Sequence, residues 1–560
     1  MIMATLEVDL KDLQCLMGKK LDVRELDDAL FSYGMELDDN NGDLLFIDVT
    51  PDRPDMISKY GLARALKKYV GIEKGITLYT TQTSGIKIEV NPNVASIRPY
   101  IAAAVIKRLH IDDNVIKDLI WVQEKLHATF CRNRRIAAIG VYPCHKFTPP
   151  LNYFAERSDD ISFVPLGYKA QMTGLEILDK HETGQKYCHL LEGTDRYPLL
   201  TDNSGKVLSM PPIINSEDLG RIDDSTEDIF IEVTGTNSAR VHDVINILSA
   251  VFADMGGEIN TVSINYEGSV DVTPCTNPSE HKLNLKDIED LLGLKLQIEE
   301  VVSLLEKMGY GASRSGNSSI AILVPYYRVD ILHKVDIIDD IARAYGISNI
   351  APALPSIDAV GGVLKRTNLT DFLRNALIGL GFIECFTLSL TNIDYQYTKM
   401  NLGLDEAIVL SNPKSSEMSA MRTWILPELM RCVVSNESYG LPIKLFEIGC
   451  VCAKDKCSET GYKNVLRLAA LITNSKTTFT DIKQVLDFIS AISDKTYELT
   501  HGDHDSFISG RVGSVISYNR AICGLIGELH PMVLKNFNWN YPVSCLELDL
   551  DLFTKDLIED

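Results

Sequence analysis

Hydrophobic residues recur with different periods along the chain, and each period predicts a different kind of structure. In residues 55–71 the apolar positions have helical spacing, and Asp55 is placed to cap the helix that they form. The positions that would share the buried face of this helix are Leu62, Ala65, Leu66 and Tyr69. From 86 to 270 the pattern changes to many short apolar runs, broken by Gly, Pro and Asn-Ser turns, which predicts strands. Helical periods return in residues 271–355, around one strand, SIAILVP.

A Pro-rich stretch, IAPALPSIDAVGG (350–362), separates this compact unit from the C-terminal region. Beyond the stretch, alternating segments such as FIECFTLSL (382–390) and PIKLFEIG (442–449) predict strands, and helical segments lie among them. This arrangement predicts an antiparallel sheet with helices.

The chain has 560 residues, which is too long for a single hydrophobic core. The changes of pattern divide it into four predicted domains, and the predicted fold class is multidomain α+β. The domains are a mixed N-terminal domain at 1–85, a strand-rich domain at 86–270, a small compact domain at 271–355 and an antiparallel sheet with helices at 356–560.

Composition and charge narrow the possible functions. Hydrophobic residues make up 45% of the chain, but no segment approaches the roughly 18 consecutive apolar residues of a membrane span. The first residues, MIMATLEVDLKDLQ, carry acidic groups where a signal or transit peptide is basic or apolar, so we expect a cytoplasmic protein. The net charge of −22 argues against a protein that binds nucleic acid with its whole surface. Any contact with RNA would come from local patches or from a more basic partner.

A group of carboxylates in DILHKVDIIDD (330–340) is the first candidate site. In a helix that starts near Val335, the residues Asp336, Asp339 and Asp340 are spaced i, i+3 and i+4 and share one face, and Asp330 in the preceding turn can fold back toward them. Close carboxylates need cations, solvent or a metal, and oxygen ligands without His or Cys suit Mg²⁺. The alternative is that acidic residues in a first helical turn only complement the helix dipole.

The second candidate is a polar strand face in IFIEVTGT (229–236). If this segment is a strand, Glu232 and Thr234 point to the same side, and alternate apolar residues face the core. The polar residues that flank it on predicted turns are Ser209, Asn215 and Arg221. Such a face can line a pocket that orders a water, a hydroxyl and a carbonyl, or it can be the solvated side of an ordinary sheet. The segment has no Ser-His-Asp or Cys-His pairing, so nucleophilic catalysis is not expected.

A lone cation, Arg422, lies between apolar residues in NPKSSEMSAMRTWILPELM (412–430). The sequence favours an ion-pairing arginine at an element boundary over a phosphate-binding one. Neither GxxxxGK[ST] nor a strand-borne GxGxxG occurs, so a glycine-rich phosphate loop is not predicted.

Several segments, in a fixed order, carry a resemblance to a known family. They are TPDRPDMISKYGLARALKKYVG (50–71), RRIAAIGVY (134–142), SMPPIINSEDLGRI (209–222), IFIEVTGT (229–236), VPYYRVDILHKVDIIDDIARAYGISNI (324–350), GFIECFTLSL (381–390), SNPKSSEMSAMRTWILPELM (411–430), LFEIG (445–449) and IGELHPMVL (526–534). Together they resemble the β subunit of phenylalanyl-tRNA synthetase, of the archaeal and eukaryotic cytosolic type.

The resemblance implies an architecture. It consists of an N-terminal domain, a B3/B4-type editing domain, a B5 domain and a class II synthetase-like antiparallel sheet that does not activate the amino acid. Bacterial β chains are longer, with an oligonucleotide-binding insertion and an anticodon-binding domain. Neither is expected here, which favours the archaeal and eukaryotic type.

The resemblance also implies the site residues. The family's Mg²⁺ site, shared with the α subunit, corresponds to Asp330, Asp336, Asp339 and Asp340, where many relatives have Glu at the last two positions. The editing pocket corresponds to Leu200, Ser209, Asn215, Arg221, Glu232 and Thr234. Glu232, for which Asp is the family's alternative, is the candidate to accept the hydroxyl of a tyrosyl group, and Asn215 and Thr234 would help to position substrate and water.

The function implied by the resemblance is the ATP-dependent attachment of phenylalanine to tRNA(Phe) by an (αβ)₂ heterotetramer, in which the α subunit activates the amino acid. The β chain would add assembly and hydrolysis of Tyr-tRNA(Phe), because an apolar pocket rejects an isostere with one extra hydroxyl by only about 10²-fold. The alternative is a scaffold or tRNA-binding protein without enzymatic activity, built from synthetase-like domains. A β subunit should co-purify stoichiometrically with an α chain, whereas a scaffold need not.

Overall fold

The computed structural model describes residues 4–223, 226–517 and 520–554. The chain forms two compact units, Met1–Leu354 and Pro355–Asp560.

The first region of the N-terminal unit packs three helices with a three-stranded sheet in the order β1-β3-β2. Its elements are β1 (Ala4–Asp9), α1 (Leu10–Met17), α2 (Val23–Tyr33), β2 (Glu36–Asn41), β3 (Leu44–Val49) and α3 (Lys59–Tyr69). The helix predicted at 55–71 is α3, but Ser58 caps it rather than Asp55. Asp55 is buried and forms an ion pair with Arg53 at 2.9 Å, so the prediction of its capping role is wrong.

A large mixed sheet forms the second region. Its elements are β4 (Thr81–Val90), β5 (Tyr100–Lys107), α4 (Asp113–Ala128), β6 (Ala137–Pro143), β7 (Leu151–Arg157), β8 (Ser162–Phe163), β9 (Met172–Thr173), α5 (Gly174–Lys180), α6 (Glu182–Tyr187), β10 (Arg196–Thr201), β11 (Val207–Met210), β12 (Ile214–Asn215), α7 (Glu217–Gly220), β13 (Ile229–Gly235), α8 (Ser238–Asp254), β14 (Glu258–Tyr266) and β15 (Ser269–Thr273). The strand order is β12-β11-β10-β7-β4-β14-β5-β13-β6, and β15 pairs with β14. Strand β13 lies between β5 and β6, antiparallel to both, and every residue of it is buried.

The third region combines three helices with a small antiparallel sheet in the order β16-β18-β17. Its elements are β16 (Ser279–Asn284), α9 (Leu285–Leu292), α10 (Ile298–Lys307), β17 (Gly311–Arg314), β18 (Ser319–Val324) and α11 (Lys334–Tyr345). One hydrophobic core, from Leu6 to Ala344, contains side chains of all three regions. The predicted domain boundaries within this unit remain predictions.

The C-terminal unit is built on a seven-stranded sheet in the order β19-β23-β24-β28-β27-β26-β25, antiparallel except for the β19–β23 pair. A short sheet, β20-β22-β21, accompanies it. The elements are α12 (Lys365–Gly379), β19 (Ile383–Glu384), β20 (Leu390–Thr391), α13 (Ile393–Gln396), β21 (Ile408–Val409), β22 (Ala420–Met421), α14 (Leu426–Ser435), β23 (Ile443–Lys454), β24 (Tyr462–Thr473), α15 (Phe479–Ile492), β25 (Tyr497–His501), β26 (Phe507–Ser517), β27 (Ile522–Leu529), α16 (Pro531–Asn536), β28 (Val543–Asp549) and α17 (Leu550–Phe553).

Successive side chains of β23 point to opposite faces of the sheet, and each face packs into its own hydrophobic cluster. Leu445 packs into a cluster with α14 and α16, whereas the next residue, Phe446, packs into a second cluster with α12 and α15. Arg422 is buried and pairs with Glu447 of the same strand at 2.6 Å, as the ion-pairing interpretation expected. The single strand predicted at 382–390 is wrong, because only its two ends are in strands, and Phe386 between them is 94% exposed.

The predicted fold class is confirmed as multidomain α+β with strand-rich regions. Within the described ranges, no helix combines the length and the apolar character that crossing a membrane requires.

Candidate functional site

A pocket of about 260 Å³ opens beside strands β6 and β13 of the large sheet. Its walls are largely apolar, and three of the predicted polar residues meet in it: Ser209, Asn215 and Glu232. The lining also includes Glu124, Arg134, Ile139, Pro212 and Ile213. The polar face of β13 therefore borders an enclosed site, and the alternative of a solvated outer face is wrong because Glu232 and Thr234 are both buried.

Glu232 is placed in this pocket by the register of the sheet. It lies opposite Ala103 of β5 and Gly140 of β6. A side chain at Gly140 would put its Cβ 2.6 Å from Glu232 Oε1 and 2.3 Å from the Tyr142 hydroxyl, so glycine is needed to leave room for both groups. The Tyr142 hydroxyl donates to Glu232 Oε1 at 3.1 Å. The second oxygen, Oε2, is buried and has no hydrogen-bond partner in the described part of the chain.

Burial raises the pKa of the Glu232 carboxyl to about 7. The hydrogen bond from Tyr142 and the positive charge of Arg98 oppose this shift without cancelling it. The Ser209 hydroxyl also opposes it, although the Ser209 oxygen has no partner that meets hydrogen-bond geometry among the described residues. Near neutral pH the pocket therefore holds a carboxyl group poised between its acid and its ionised form.

Asn215 and Ser209 are brought to Glu232 by two short strands rather than by the turns predicted for them. Ser209 on β11 pairs with Asn215 on β12, and Leu200 on β10 pairs with Ser209. The Tyr142 hydroxyl lies 3.2 Å from Asn215 Oδ1 as well, so one phenol connects the amide and the carboxylate. The turn prediction failed because strands of four and two residues are too short to show a clear period.

The other three predicted residues lie apart from the pocket lining. Leu200 is fully buried in the core. Thr234 is buried on the same side of β13 as Glu232, where its hydroxyl accepts a hydrogen bond from Arg98 Nε at 3.0 Å. Arg221 is exposed and pairs with Glu217 at 2.5 Å. Of the six residues, three line this pocket, and the role of the six in editing remains a prediction.

Several residues of the site escaped prediction. Tyr142 belongs to the segment RRIAAIGVY, but nothing in the local pattern marks it as a partner of Glu232. Beside the pocket, His127 Nδ1 lies 3.2 Å from Glu124 Oε1, and burial lowers the pKa of His127 to about 4. The hydrogen bond from His127 lowers the pKa of Glu124 to about 2. Tyr142 and Glu232 are far apart in the chain and meet only in the folded sheet, whereas Glu124 and His127 are spaced i, i+3 on α4, a spacing that the sequence does show.

Two of the four predicted carboxylates, Asp330 and Asp340, meet at one guanidinium group, and the other two have separate partners. Arg328 Nη2 donates to both Asp330 and Asp340, each at 2.7 Å, and the Tyr310 hydroxyl also donates to Asp340. Asp336 accepts from the backbone N–H groups of residues 332 and 333 at the start of the helix, at 2.8 and 2.7 Å. Asp339 pairs with Arg343 at 2.8 Å.

Asp336, Asp339 and Asp340 lie in one helix with the predicted spacing, but each is engaged by a different partner: backbone N–H groups, Arg343 and Arg328. Their role as metal ligands remains a prediction. In the described ranges, no three His, Cys, Asp or Glu side chains are arranged to hold a metal ion. The oxygen donors have the chemistry that Mg²⁺ prefers, but their arrangement in this chain does not fit it. The capping role of Asp336 matches the alternative of dipole complementation.

Comparisons with known proteins show which class of protein this chain belongs to. A family model described as the phenylalanyl tRNA synthetase beta chain CLM domain matches residues 350–550, and one for the tRNA synthetase B5 domain matches residues 281–347. The fold and these matches define a tRNA synthetase chain. The phenylalanine–tRNA ligase beta subunits of Pyrococcus horikoshii and Methanococcus aeolicus are 38% and 35% identical to it, over 98% of this chain and 99% and 100% of theirs.

The chain belongs to the family of phenylalanine–tRNA ligase β subunits, as its resemblance predicted. Its fold is also similar to the crystal structure of an N-terminal fragment of the phenylalanyl-tRNA synthetase beta subunit from Pyrococcus horikoshii. That match has a TM-score of 0.59 at 39% identity and covers 61% of this chain and 99% of the fragment.

Proposed function

We propose that this chain is the non-activating β subunit of a cytoplasmic ligase that uses ATP to attach phenylalanine to tRNA(Phe), and that the pocket at Glu232 hydrolyses Tyr-tRNA(Phe). The observation that carries the editing function is the buried Glu232 Oε2, which has no hydrogen-bond partner within the described ranges and lies in a largely apolar pocket. Full-length similarity to named β subunits favours this function over the alternative of a scaffold.

The selectivity of the pocket follows from Glu232 and its apolar walls. Ile139, Pro212 and Ile213 offer surface for an aromatic ring, and Glu232 Oε2 offers an acceptor for a phenolic hydroxyl. A hydrogen bond to an ionised carboxylate contributes about 1.5–3 kcal/mol, or roughly 10–150-fold in selectivity. A phenylalanyl group would cover Glu232 without giving it a donor, so Phe-tRNA(Phe) should be spared.

Hydrolysis breaks the ester bond between the tyrosyl carbonyl carbon and the ribose oxygen of the tRNA. A water oxygen bonds to that carbon, and a proton passes to the ribose oxygen as it leaves, which yields tyrosine and free tRNA. Thr234 is engaged by Arg98, and Glu232 is proposed to hold the phenol, so neither is assigned as the base. We propose that a hydroxyl of the ribose assists the water, while Asn215 helps to orient the substrate.

Activation of phenylalanine is assigned to an α partner in an (αβ)₂ heterotetramer. Support for a covering partner comes from the C-terminal unit, where α12 and the segment after it expose large apolar side chains. These are Phe372, Ile378, Ile383, Phe386 and Leu388. Such a surface is typical of a chain that is buried against another protein.

Mg²⁺ is proposed only for the assembled enzyme. Asp330, Asp336, Asp339 and Asp340 would contribute oxygen ligands together with groups of the α subunit, and the metal would then support the junction of the two chains. Assembly would have to release the carboxylates from Arg328 and Arg343. If EDTA leaves the assembly of the parent enzyme unchanged, these residues are structural.

The editing function is tested with the chain assembled with its α partner and with preformed Tyr-tRNA(Phe). We expect Glu232→Ala to slow the release of labelled tyrosine at least tenfold and to leave Phe-tRNA(Phe) synthesis within about twofold. Glu192→Ala, which removes an exposed glutamate of the same region, is the matched control and should change neither rate. Unchanged tyrosine release in the Glu232 variant would contradict the proposal.

A further inference from the structure

The loop between α4 and β6 has an unusual backbone. Three consecutive residues, Arg132, Asn133 and Arg134, have φ values of 50°, 52° and 63°. Residues other than glycine rarely adopt this left-handed conformation, because it is energetically unfavourable for them. Such strain persists only where surrounding contacts impose it, and it concentrates at functional sites.

Contacts to the pocket hold the third of these residues, Arg134, in place. Arg134 donates to the carbonyl oxygen of Ile213 at 2.9 Å and to Glu124 at 3.1 Å, and both of these residues line the pocket. The carbonyl oxygen of Arg134 accepts from Arg98 Nη2 at 3.3 Å, and Arg98 also binds Thr234 on strand β13. The loop is therefore fixed to the wall of the pocket and to the strand that carries Glu232.

Fixing Arg134 leaves its neighbours directed outward. Arg132 and Arg135 are exposed, and neither forms an ion pair with any residue in the described ranges. This differs from arginines such as Arg53 and Arg328, which are neutralised by carboxylates. In a chain with a net charge of −22, two unneutralised guanidinium groups beside one pocket form a local anion-binding feature.

We propose that Arg132 and Arg135 bind backbone phosphates of the single-stranded 3′ end of the tRNA whose aminoacyl group enters the pocket. The inference rests on the proposed editing function, because the aminoacyl ester is at the 3′-terminal ribose and the neighbouring phosphates must then pass close to the pocket. Arginine forms bidentate, charge-assisted hydrogen bonds with phosphate, and phosphate contacts set the position of a nucleic acid.

The test uses the full chain assembled with its α partner, and a fluorescent single-stranded RNA with the 3′ sequence of tRNA as the probe. Arg132→Ala/Arg135→Ala should weaken binding about tenfold at low salt. It should also make the slope of log affinity against log salt shallower by about 1.4, since each phosphate contact on a single strand contributes about 0.7. Arg132→Lys/Arg135→Lys should retain most of the affinity and of the slope, because the charges remain.

Lys19→Ala/Lys20→Ala removes two exposed charges from the turn before α2 and should change neither value. Unchanged affinity and slope in the double alanine variant would overturn the proposal. Loss of assembly with the α partner would overturn it too, since the loop would then be a protein contact. Tyr-tRNA(Phe) deacylation is measured in parallel: a parent enzyme that binds the probe through these arginines but releases no tyrosine would refute the editing function and leave the RNA contact standing.

Discussion

Glu232 on β13 and Asp340 on α11 are both buried carboxylates of the N-terminal unit, but their surroundings differ. Asp340 accepts hydrogen bonds from Arg328 and from the Tyr310 hydroxyl. Glu232 has one neutral donor, Tyr142, and one oxygen without a partner among the residues that the structure describes. A buried charge with a cation beside it holds elements together, whereas a buried carboxyl without one is costly and is kept where a ligand can complete it.

The largest effect is expected at Asp340. Asp340→Ala would leave buried Arg328 with Asp330 as its remaining carboxylate, and breaking a buried pair costs about 3–5 kcal/mol. We expect the free energy of unfolding of the N-terminal unit, measured with denaturant, to fall by about this amount. Asp339→Ala removes an exposed pair and should cost less than about 1 kcal/mol. If both variants lose the same free energy of unfolding, burial does not decide how much an ion pair stabilises this unit.

The second prediction concerns the pH dependence of stability at Glu232. Because the pKa is about 7 in the folded chain and about 4.5 unfolded, the folded chain binds more protons between these values, and its stability falls as pH rises through this window. Glu232→Gln removes this loss. At pH 8 the variant should therefore be more stable than the parent by up to about 3 kcal/mol, and the gain should vanish below about pH 4.5. Thermal or denaturant unfolding from pH 4.5 to pH 8 measures the difference in stability between the variant and the parent. If this difference does not change with pH, the pKa of Glu232 is not raised in the folded chain.

The smallest effect is expected at Tyr142, whose hydroxyl is the neutral hydrogen-bond donor to Glu232. Tyr142→Phe removes the donor to Glu232 Oε1, so the pKa of Glu232 should rise further and the ionised form should become scarcer at neutral pH. We expect Tyr-tRNA(Phe) deacylation to slow about tenfold at pH 7 and to recover part of this loss at higher pH. A slower rate without any shift of the pH profile would mean that Tyr142 only shapes the pocket.

Sequence alone predicted the features that depend on neighbours along the chain. Helix α11 begins at Lys334, one residue from its expected start, and Glu232 and Thr234 do lie on the same side of a strand. The sequence could not predict which distant group meets a buried charge. Asp55 was expected to cap a helix and instead pairs with Arg53, and Arg328 was not predicted as the shared partner of Asp330 and Asp340.

Residues 382–390 and the segment of β23 were both predicted as strands, but only the second forms one along its length. This difference also depends on contacts with distant parts of the chain. Both segments alternate, but β23 has two strand partners and Phe386 remains exposed. Alternation therefore predicts a strand only where a partner strand and a core are available, and both depend on the whole fold.

Gly140 gives the pocket a testable evolutionary signature. Because a Cβ at this position would collide with Glu232 Oε1 and with the Tyr142 hydroxyl, a chain with Glu at position 232 has to keep glycine opposite it. An aspartate at 232 would end one CH₂ earlier and relieve the first collision only, because the Tyr142 hydroxyl would still lie 2.3 Å from the Cβ. The three positions should therefore co-vary among homologues: glycine should be nearly invariant where Glu and Tyr are both kept, and alanine should appear at 140 only where positions 232 and 142 both carry smaller side chains.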